Sequence, residues 1–227
     1  MLSTFSRCVL PALGRLDVTT DSTTSGGAAD GTTGGPGTGR IEPGSIVAAN
    51  HSSLIDPGLV FVALARRGVG SPVVMATAGL WRIPLLRGRL RAEGHIPVHR
   101  GGRRAADSLE LAAEAIARGR VVVIYPEGRI PWRRDSGDVG PEDFRTGLAR
   151  LALATGAPVV PLGQAGARRI TSGGRFKQWA GLASSPLRRP RLRVHIGEPI
   201  RLTGSPAEAT AQAHAAVTDA WRKAAAV

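Results

Sequence analysis

Cysteine is almost absent from the 227-residue sequence, in which Cys8 is the single cysteine. One thiol excludes an internal disulfide, a cysteine-based metal cluster and a Cys-x-x-Cys redox motif. Lysine is nearly as scarce, since Lys177 and Lys223 are the two lysines of a chain whose net charge is +13. Arginine therefore carries almost all of the positive charge, and its planar guanidinium group suits phosphate. Such a charge fits nucleic acid, an anionic membrane surface or small phosphorylated substrates.

Aromatic residues and long apolar runs are also scarce. Aromatics make up 4% of the chain, and we find no zinc-finger spacing, aromatic RNA-binding signature or helix-turn-helix pattern, so we expect no nucleic acid partner. No stretch approaches the roughly 18 uninterrupted apolar residues of a membrane-spanning helix. Residues 1–16 are interrupted by Pro11 and do not form a convincing signal peptide, so we expect a cytoplasmic protein.

The sequence does contain a polar tract followed by a region of regular alternation. Residues 19–39 are rich in Gly, Thr and Ser with almost no large apolar side chain, so we expect a mobile loop there. We therefore divide the chain into an N-terminal segment, residues 1–40, and one domain, residues 41–227. Short apolar or β-branched runs alternate with helical patterns in this domain, at 46–49, 72–76, 95–98, 121–125, 159–162 and 192–196. The alternation predicts an α/β sheet.

A histidine and an aspartate follow the first of these runs. Residues 50–56 read Asn-His-Ser-Ser-Leu-Ile-Asp, and Asp56 with Pro57 has the pattern of a helix N-cap and the first helical residue. The segment is thus a strand-to-helix turn, which can bring the imidazole of His51 into hydrogen-bonding contact with Asp56. Asp56 would then fix one ring nitrogen as a donor and leave the other to accept a proton. The spacing alone favours a simpler alternative, in which Asp56 only caps its helix and His51 is a polar loop residue.

Two further polar groups follow predicted strands. Arg100 stands just after one strand, and Glu127, Gly128 and Arg129 stand just after another. Ligands of open α/β sheets gather at the carboxyl ends of strands, so we expect His51, Arg100 and Glu127 to face one crevice. Each also has a simpler interpretation, since Arg100 fits a solvated surface arginine and Glu127 with Gly128 fits a turn.

Five short segments stand in a fixed order along the chain. They are Asn-His-x4-Asp at 50–56, Gly-strand-Arg at 94–100, Tyr-Pro-Glu-Gly-Arg at 125–129, Phe-Arg-Thr-Gly at 144–147 and Ala-Pro-Val-Val-Pro-Leu at 157–162. In this order they resemble the glycerolipid acyltransferase family, typified by the bacterial 1-acylglycerol-3-phosphate acyltransferase, over roughly residues 41–200. The third segment departs from the family's Pro-Glu-Gly-Thr-Arg, because the threonine is missing and Arg129 comes one residue early.

The resemblance implies a fold and a reaction. The fold is a single α/β domain with a central mixed, largely parallel sheet flanked by helices. The reaction is transfer of a fatty acyl group from acyl-CoA or acyl-carrier protein to the hydroxyl of a glycerophospholipid precursor, with 1-acylglycerol-3-phosphate as the first candidate. It needs no cofactor and no metal, and it passes through no covalent acyl-enzyme.

The resemblance also implies roles for individual residues. His51 would deprotonate the acceptor hydroxyl, and Asp56 would orient its ring. Two arginines would hold the acceptor phosphate and two further residues would shape the pocket, namely Arg100, Arg129, Glu127 and Gly128. Bonds from arginine to phosphate can be bidentate, which makes the residue apt for this task. Weaker candidates for the site are Asn50, Ser52, Arg145 and Pro161.

An anionic membrane surface is a further expected partner, beside the acyl donor and the lysophospholipid acceptor. Residues 80–91 interleave Trp, Ile and Leu with four arginines, which suits a peripheral position on the inner face of the cell membrane. An ordinary half-buried helix is the alternative, and Pro84 argues against one continuous amphipathic helix. Three other functions stay open: acyl transfer to a different, possibly phosphate-free acceptor, thioester or phosphoester hydrolysis, and lipid binding without catalysis.

Overall fold

The structure is a computed structural model that describes residues 12–21, 41–99, 103–131 and 135–226. Its strands are β1 (Arg15–Thr20), β2 (Ile46–Ala49), β3 (Val73–Thr77), β4 (Ile96–Val98), β5 (Val122–Ile124), β6 (Val159–Ala165) and β7 (Arg191–Ile196). These seven strands form one sheet in the order β1-β7-β6-β2-β5-β3-β4. Strands β6, β2, β5, β3 and β4 run parallel to one another, whereas β7 is antiparallel to β6 and β1 is parallel to β7. The predicted mixed, largely parallel sheet is confirmed.

Helices cover both faces of this sheet. Within the described residues they are α1 (Asp56–Arg66), α2 (Pro84–Ala92), α3 (Arg103–Ala117), α4 (Gly147–Thr155), α5 (Arg175–Arg188) and α6 (Pro206–Ala225). Buried side chains of α1 share a core cluster with Leu182 of α5, and those of α3, α4 and α6 form a second cluster on the opposite face. The predicted arrangement of one α/β domain flanked by helices is confirmed.

Strand β2 lies at the centre of the sheet and shows why its sequence is continuously apolar. Its four residues are all buried. Val47 and Ala49 pack in one core cluster, while Ile46 and Ala48 pack in the other. Successive side chains of a strand point to opposite faces, so a strand covered on both sides needs apolar residues at every position. The polar residues that follow β2 therefore emerge from the centre of the carboxyl edge.

Gly163 allows α6 to pack directly on the neighbouring strand β6. A Cβ atom at this position would lie 2.1 Å from the backbone carbonyl carbon of Ala220, so only a glycine fits. Pro161 lies in the same strand, buried and in register with Ala48 of β2. It is part of the sheet interior, four residues before β6 ends at Ala165.

Strand β1 was not predicted from the sequence. It lies before residue 41, in the segment that we set apart from the domain, and its last two residues begin the tract that we expected to be a mobile loop. Its sequence, RLDVTT, has only two apolar side chains because β1 is a half-exposed edge strand. His195 of β7 holds its end, with Nδ1 2.9 Å from Oγ1 of Thr19 and Nε2 3.1 Å from Oδ1 of Asp21. Residues 22–39 of the tract lie outside the described residues.

The basic segment 80–91 is divided rather than continuous. A short 3₁₀ turn, Ala78–Arg82, ends before α2 begins at Pro84, as the proline predicted. Leu90 of α2 is buried and Leu85 is exposed, which is the pattern of a half-buried helix. In the part of the chain that the structure describes, no helix is both long and apolar enough to cross a membrane.

Candidate active site

Polar side chains gather where the carboxyl ends of β2, β5 and β6 meet. Asn50 and His51 directly follow β2, Glu127 comes three residues after β5, and Gln164 lies at the end of β6. Because these strands are parallel neighbours, their carboxyl ends share one edge of the sheet, where ligands of open α/β folds bind. Of the three residues expected to face one crevice, His51 and Glu127 come together here, and Arg100 lies outside the described residues.

His51 and Asp56 are in hydrogen-bonding contact. Nδ1 of His51 lies 3.0 Å from Oδ2 of Asp56, and the side-chain exposures are 16% and 0%. An ionised carboxylate only accepts hydrogen bonds, so Nδ1 carries the proton and Nε2 is the nitrogen that can take up another. No residue in the described part of the chain bonds to Nε2. The arrangement is that of a general base with its orienting carboxylate.

The carboxylate of Asp56 is held by the backbone of the loop rather than by the helix that it begins. Its Oδ2 accepts the N–H groups of Ser52 at 2.5 Å and of Ser53 at 2.7 Å. An N-cap side chain would instead accept from the second or third residue of the helix. The N-cap of α1 is Ile55, without a side-chain cap, so the prediction that Asp56 caps this helix is wrong. Two amides and the positive end of the helix dipole stabilise the buried charge.

Glu127 holds the histidine loop from the opposite side. Its Oε1 accepts the backbone N–H of His51 at 2.7 Å, and its Oε2 accepts that of Glu142 at 3.1 Å. Burial raises the pKa of Glu127 to about 7, although both N–H donors lower it. Gly128 does form the turn expected of it, with φ at +71°, and a Cβ there would lie 2.8 Å from Nε of Arg145. Glu127 is thus more than a turn residue, because it joins three segments of the site.

Tyr125 supports the flat face of the histidine. The two rings stack with their centroids 4.3 Å apart and an angle of 27° between their planes. Burial, and then the nearby charge of Asp56, raise the pKa of Tyr125 well above its ordinary value. Its buried hydroxyl has no hydrogen-bond partner among the described residues. The ring is therefore a neutral support that limits rotation of the imidazole.

Asn50 locks the end of β2 to β6. Its Oδ1 accepts the backbone N–H of Gln164 at 2.8 Å, and its Nδ2 donates to the carbonyl oxygen of Gln164 at 3.1 Å. The side-chain Nε2 of Gln164 returns a bond of 2.6 Å to the carbonyl oxygen of Asn50. Both residues are almost fully buried. His51 consequently starts from a rigid point, which is what a base needs to stay aligned.

A small pocket opens beside the histidine. Its empty space is about 300 Å³, including a part that is open to solvent, and its lining residues are Asn50, His51, Ser52, Glu127, Pro131, Val139, Gly140, Glu142 and Arg168. Of the weaker candidates, Asn50 and Ser52 line the pocket, whereas Arg145 and Pro161 do not. No group of three His, Cys, Asp or Glu side chains in the described ranges could hold a metal ion.

Residues 35–164 match the family model for acyltransferases, and this match covers more than half of the chain. The chain belongs to the acyltransferase family. The resemblance inferred from the ordered motifs is confirmed, and all five segments on which it was based fall inside the matched region.

Two curated acyltransferases and one solved acyltransferase structure are similar to the chain. The 1-acyl-sn-glycerol-3-phosphate acyltransferase BAT2, chloroplastic, of Brassica napus is 29% identical over 126 residues, which are 55% of this chain and 34% of that protein. The 1-acyl-sn-glycerol-3-phosphate acyltransferase of Borreliella burgdorferi is 34% identical over 119 residues, 52% of this chain and 44% of that protein. The chain thus matches less than half the length of either relative.

The solved structure extends the likeness to the whole fold. It is the crystal structure of the 1-acyl-sn-glycerophosphate (LPA) acyltransferase, PlsC, from Thermotoga maritima, with a TM-score of 0.67 and 19% sequence identity. The alignment covers 100% of this chain and 79% of that one. At this identity the likeness shows that the fold is shared.

Two arginines of this acyltransferase, Arg129 and Arg168, differ in solvent exposure and in position relative to the pocket. Arg129, expected at the acceptor phosphate, pairs with Glu142 at 3.1 Å, and its side chain is 65% exposed. Arg168 was not selected from the sequence, yet it lines the pocket with its side chain 3% exposed. It donates 2.7 Å bonds to the carbonyl oxygens of Gly137 and Asp135, and so fixes one wall of the pocket. The phosphate-binding roles of Arg100 and Arg129 stay predictions.

Four residues of the site were missed by sequence reasoning: Tyr125, Glu142, Gln164 and Arg168. Gln164 did carry a signal, because a single amide side chain at the end of an otherwise apolar strand indicates a buried hydrogen-bonded position. Tyr125 lies inside the third motif, but the motif does not indicate that its ring stacks on His51. Glu142 and Arg168 gave no sequence signal, since their positions depend on how the segment 135–142 crosses the edge of the sheet.

Proposed function

We propose that this acyltransferase moves a fatty acyl group from acyl-CoA or acyl-carrier protein to the hydroxyl of a glycerophospholipid precursor, with 1-acylglycerol-3-phosphate as the first candidate. The observation that carries the proposal is the 3.0 Å contact between His51 and the buried Asp56, beside a pocket at the carboxyl edge of the sheet. The names of the two curated relatives support the acceptor class. The identities of the acyl donor and of the acceptor are both proposed here, because the chain matches less than half of the length of each relative.

The proposed reaction is a direct transfer with His51 as the general base. Nε2 of His51 takes the proton of the acceptor hydroxyl while the oxygen attacks the carbonyl carbon of the thioester. The carbon–sulfur bond then breaks, and the imidazolium returns its proton to the leaving thiolate. Asp56 holds the ring through Nδ1 and stabilises the imidazolium between the two steps. The overall reaction forms one ester and one thiol, with no covalent acyl-enzyme.

The acceptor phosphate, in this proposal, is held by Arg100 and Arg129. Arg129 follows β5, whose carboxyl end borders the site, Arg100 follows β4 along the chain, and bonds from arginine to phosphate are charge-assisted. The ion pair between Arg129 and Glu142 supports a second candidate, an acceptor without phosphate, because Arg129 already has an anionic partner. Within the described residues, Glu142 lines the pocket and Arg129 does not.

We also propose that the protein acts as a peripheral protein at the cytoplasmic face of the cell membrane. A net charge of +13 and a lipid acceptor support an anionic membrane surface as its partner. Attraction of this kind is screened by salt, since the Debye length is about 8 Å at physiological ionic strength. Nucleic acid is not among the proposed partners.

An acyl-transfer screen tests the function. Purified protein is incubated with acyl-CoA or acyl-carrier protein and a panel of acceptors with and without phosphate, and the products are identified by mass spectrometry. We expect acylated lysophosphatidic acid and free thiol in equal amounts, and neither with His51→Ala. Free fatty acid without acylated acceptor would instead identify a thioester hydrolase. Product only from phosphate-free acceptors would select the second candidate, and binding without turnover would identify a lipid-binding protein.

A further inference from the structure

Helix α5 presents an apolar stripe to solvent. Phe176, Trp179 and Leu187 are 88%, 71% and 90% exposed. Ala180 and Ala183 are exposed between them, so the five residues follow the spacing i, i+3, i+4, i+7 and i+11 of one helix face. A helix of a globular protein ordinarily turns such a stripe toward the core. Here the stripe points outward, which marks an interaction surface.

The inner side of α5 explains why this orientation is fixed. A Cβ at Gly181 would lie 2.2 Å from the carbonyl oxygen of Ile170, so the helix backbone rests directly on that residue. The hydroxyl of Ser185 donates to the carbonyl oxygen of Leu13, and Leu182 packs against the core. Small and polar residues thus seat the helix, and its large apolar residues are left on the outer face.

Charge indicates what the stripe contacts. From residue 144 to residue 197 the sequence contains no aspartate or glutamate. Lys177 and Arg188 flank one side of the stripe, and both are exposed. Exposed aromatic and leucine side chains beside basic groups, in a stretch of sequence without acidic residues, are the chemistry that binds an anionic bilayer surface.

The segment that leads into α5 is tied to the loop between His51 and Asp56. The hydroxyl of Ser53 contacts Oγ1 of Thr171 and donates to its carbonyl oxygen at 3.3 Å, four residues before α5 begins. Leu54 of the same loop is 63% exposed. A membrane that binds the outer face of α5 would therefore lie close to the catalytic loop, where a lipid acceptor has to arrive.

We propose that the outer face of α5 is the membrane-docking surface of this protein. Its stripe (Phe176, Trp179, Ala180, Ala183 and Leu187) inserts into the bilayer interface while the flanking cations bind anionic headgroups. This inference deepens the proposed function, on whose lipid acceptor it rests. The segment 80–91 is the weaker surface, because its hydrophobic residues are spread over a 3₁₀ turn and a short helix, with Leu90 buried.

Two leucines of nearly equal exposure give a matched test. Leu187→Ser removes a side chain of the stripe that is 90% exposed, and Leu85→Ser removes one of the segment 80–91 that is 87% exposed. Leu111→Ser, on α3, is the control for loss of an exposed leucine elsewhere. Full-length proteins are sedimented with phosphatidylcholine vesicles with and without phosphatidylglycerol, in the absence of acyl donor. We expect Leu187→Ser and Trp179→Ser each to weaken binding to the anionic vesicles about tenfold, while the other two variants bind normally.

Several results would overturn the assignment. Normal binding by Leu187→Ser and Trp179→Ser would exclude the stripe, and weakened binding by Leu85→Ser alone would assign docking to the segment 80–91. Equal binding to neutral vesicles would remove the anionic requirement. If the lipid-free protein were a dimer that Leu187→Ser converts to a monomer, the stripe would be a subunit interface instead. Because binding is measured without acyl donor, a wild-type protein that binds but does not transfer would count against the proposed function alone.

Discussion

Replacing Asp56 by asparagine should remove the charge of the dyad while the loop stays folded. Oδ2 of Asp56 accepts three bonds, from Nδ1 of His51 at 3.0 Å and from the N–H groups of Ser52 and Ser53 at 2.5 and 2.7 Å. Oδ1 has one contact among the described residues, the hydroxyl of Ser52 at 3.4 Å. An asparagine whose amide oxygen takes the Oδ2 position therefore keeps all three bonds. Its NH₂ group then faces a hydroxyl that can accept a hydrogen bond.

The loss expected of Asp56→Asn follows from the electrostatics of the pair. When His51 takes up a proton, the imidazolium loses its attraction to a carboxylate that is fully buried. Two unit charges about 4 Å apart attract by about 4 kcal/mol at an effective dielectric constant of about 20. Each 1.36 kcal/mol is about a factor of ten in rate. Because the neutral hydrogen bond to Nδ1 persists, we expect kcat to fall by about 10²-fold, less than the roughly 10³-fold loss that the full attraction would give.

Asp56→Ala separates this electrostatic effect from a structural one. Alanine leaves the N–H groups of Ser52 and Ser53 without their acceptor, and an unsatisfied buried donor costs about 1–3 kcal/mol. In a domain of this size 1 kcal/mol shifts Tm by about 2–4 °C. We therefore expect Asp56→Ala to melt at least about 4 °C below Asp56→Asn, in thermal unfolding measured beside acyl-transfer rates. Retention of more than about a tenth of wild-type kcat by folded Asp56→Asn would refute the reasoning.

Three further predictions address the other residues of the site. His51→Ala should lower transfer by about 10²–10⁴-fold with Tm unchanged, and near-normal turnover in the folded variant would remove the proposed base. Because burial raises the pKa of Glu127 from 4.5 to about 7, the stability that its protonated form contributes is present below pH 4.5 and lost as the pH rises through 7. The free energy of unfolding falls by about 3 kcal/mol over this range. The decrease of Tm from acidic to alkaline pH should therefore be smaller in Glu127→Gln than in the wild type, and the same dependence of Tm on pH in both proteins would contradict this. Arg100→Ala should raise the acceptor KM about tenfold to a hundredfold. Arg129→Ala should do less, because Arg129 is exposed and paired with Glu142, and normal KM in both variants would exclude a phosphate clamp.

The fold could be predicted from the sequence wherever burial dictates residue type. All six predicted strands are present, with ends shifted by no more than three residues. Strands β2 and β5, which are buried along their whole length, have the uninterrupted apolar runs that two covered faces require. Strand β1 escaped prediction because one of its faces is exposed, so polar residues alternate with its two apolar ones. It is held by polar contacts to His195 and by its pairing with β7, neither of which is local in sequence.

The candidate site could be predicted where a motif fixes the position of a side chain along a strand end. The strand-to-helix turn after β2 brings His51 to Asp56, and the approach of Glu127 follows from the carboxyl ends of the parallel neighbours β2 and β5. What Asp56 does at the start of α1 could not be read in this way. An aspartate at position 56 is compatible both with capping the helix and with accepting hydrogen bonds from the preceding loop. Only the directions of the Ser52 and Ser53 N–H groups distinguish the two arrangements.

The spacing between His51 and Asp56 is explained by how the loop compensates a buried charge. Asp56 has to lie in the first turn of α1 to benefit from the helix dipole, and the amides of Ser52 and Ser53 have to converge on the same oxygen. His51 then occupies the position just before those amides, where Glu127 can hold its backbone N–H. With the charge stabilised in this way, Asp56 needs no arginine. Although the chain carries 30 lysines and arginines, none of those within the described residues pairs with Asp56, whose side-chain partners there are the imidazole of His51 and the hydroxyl of Ser52. An arginine in that place would hold the carboxylate permanently, whereas a carboxylate stabilised by amides stays available to the imidazolium when it forms.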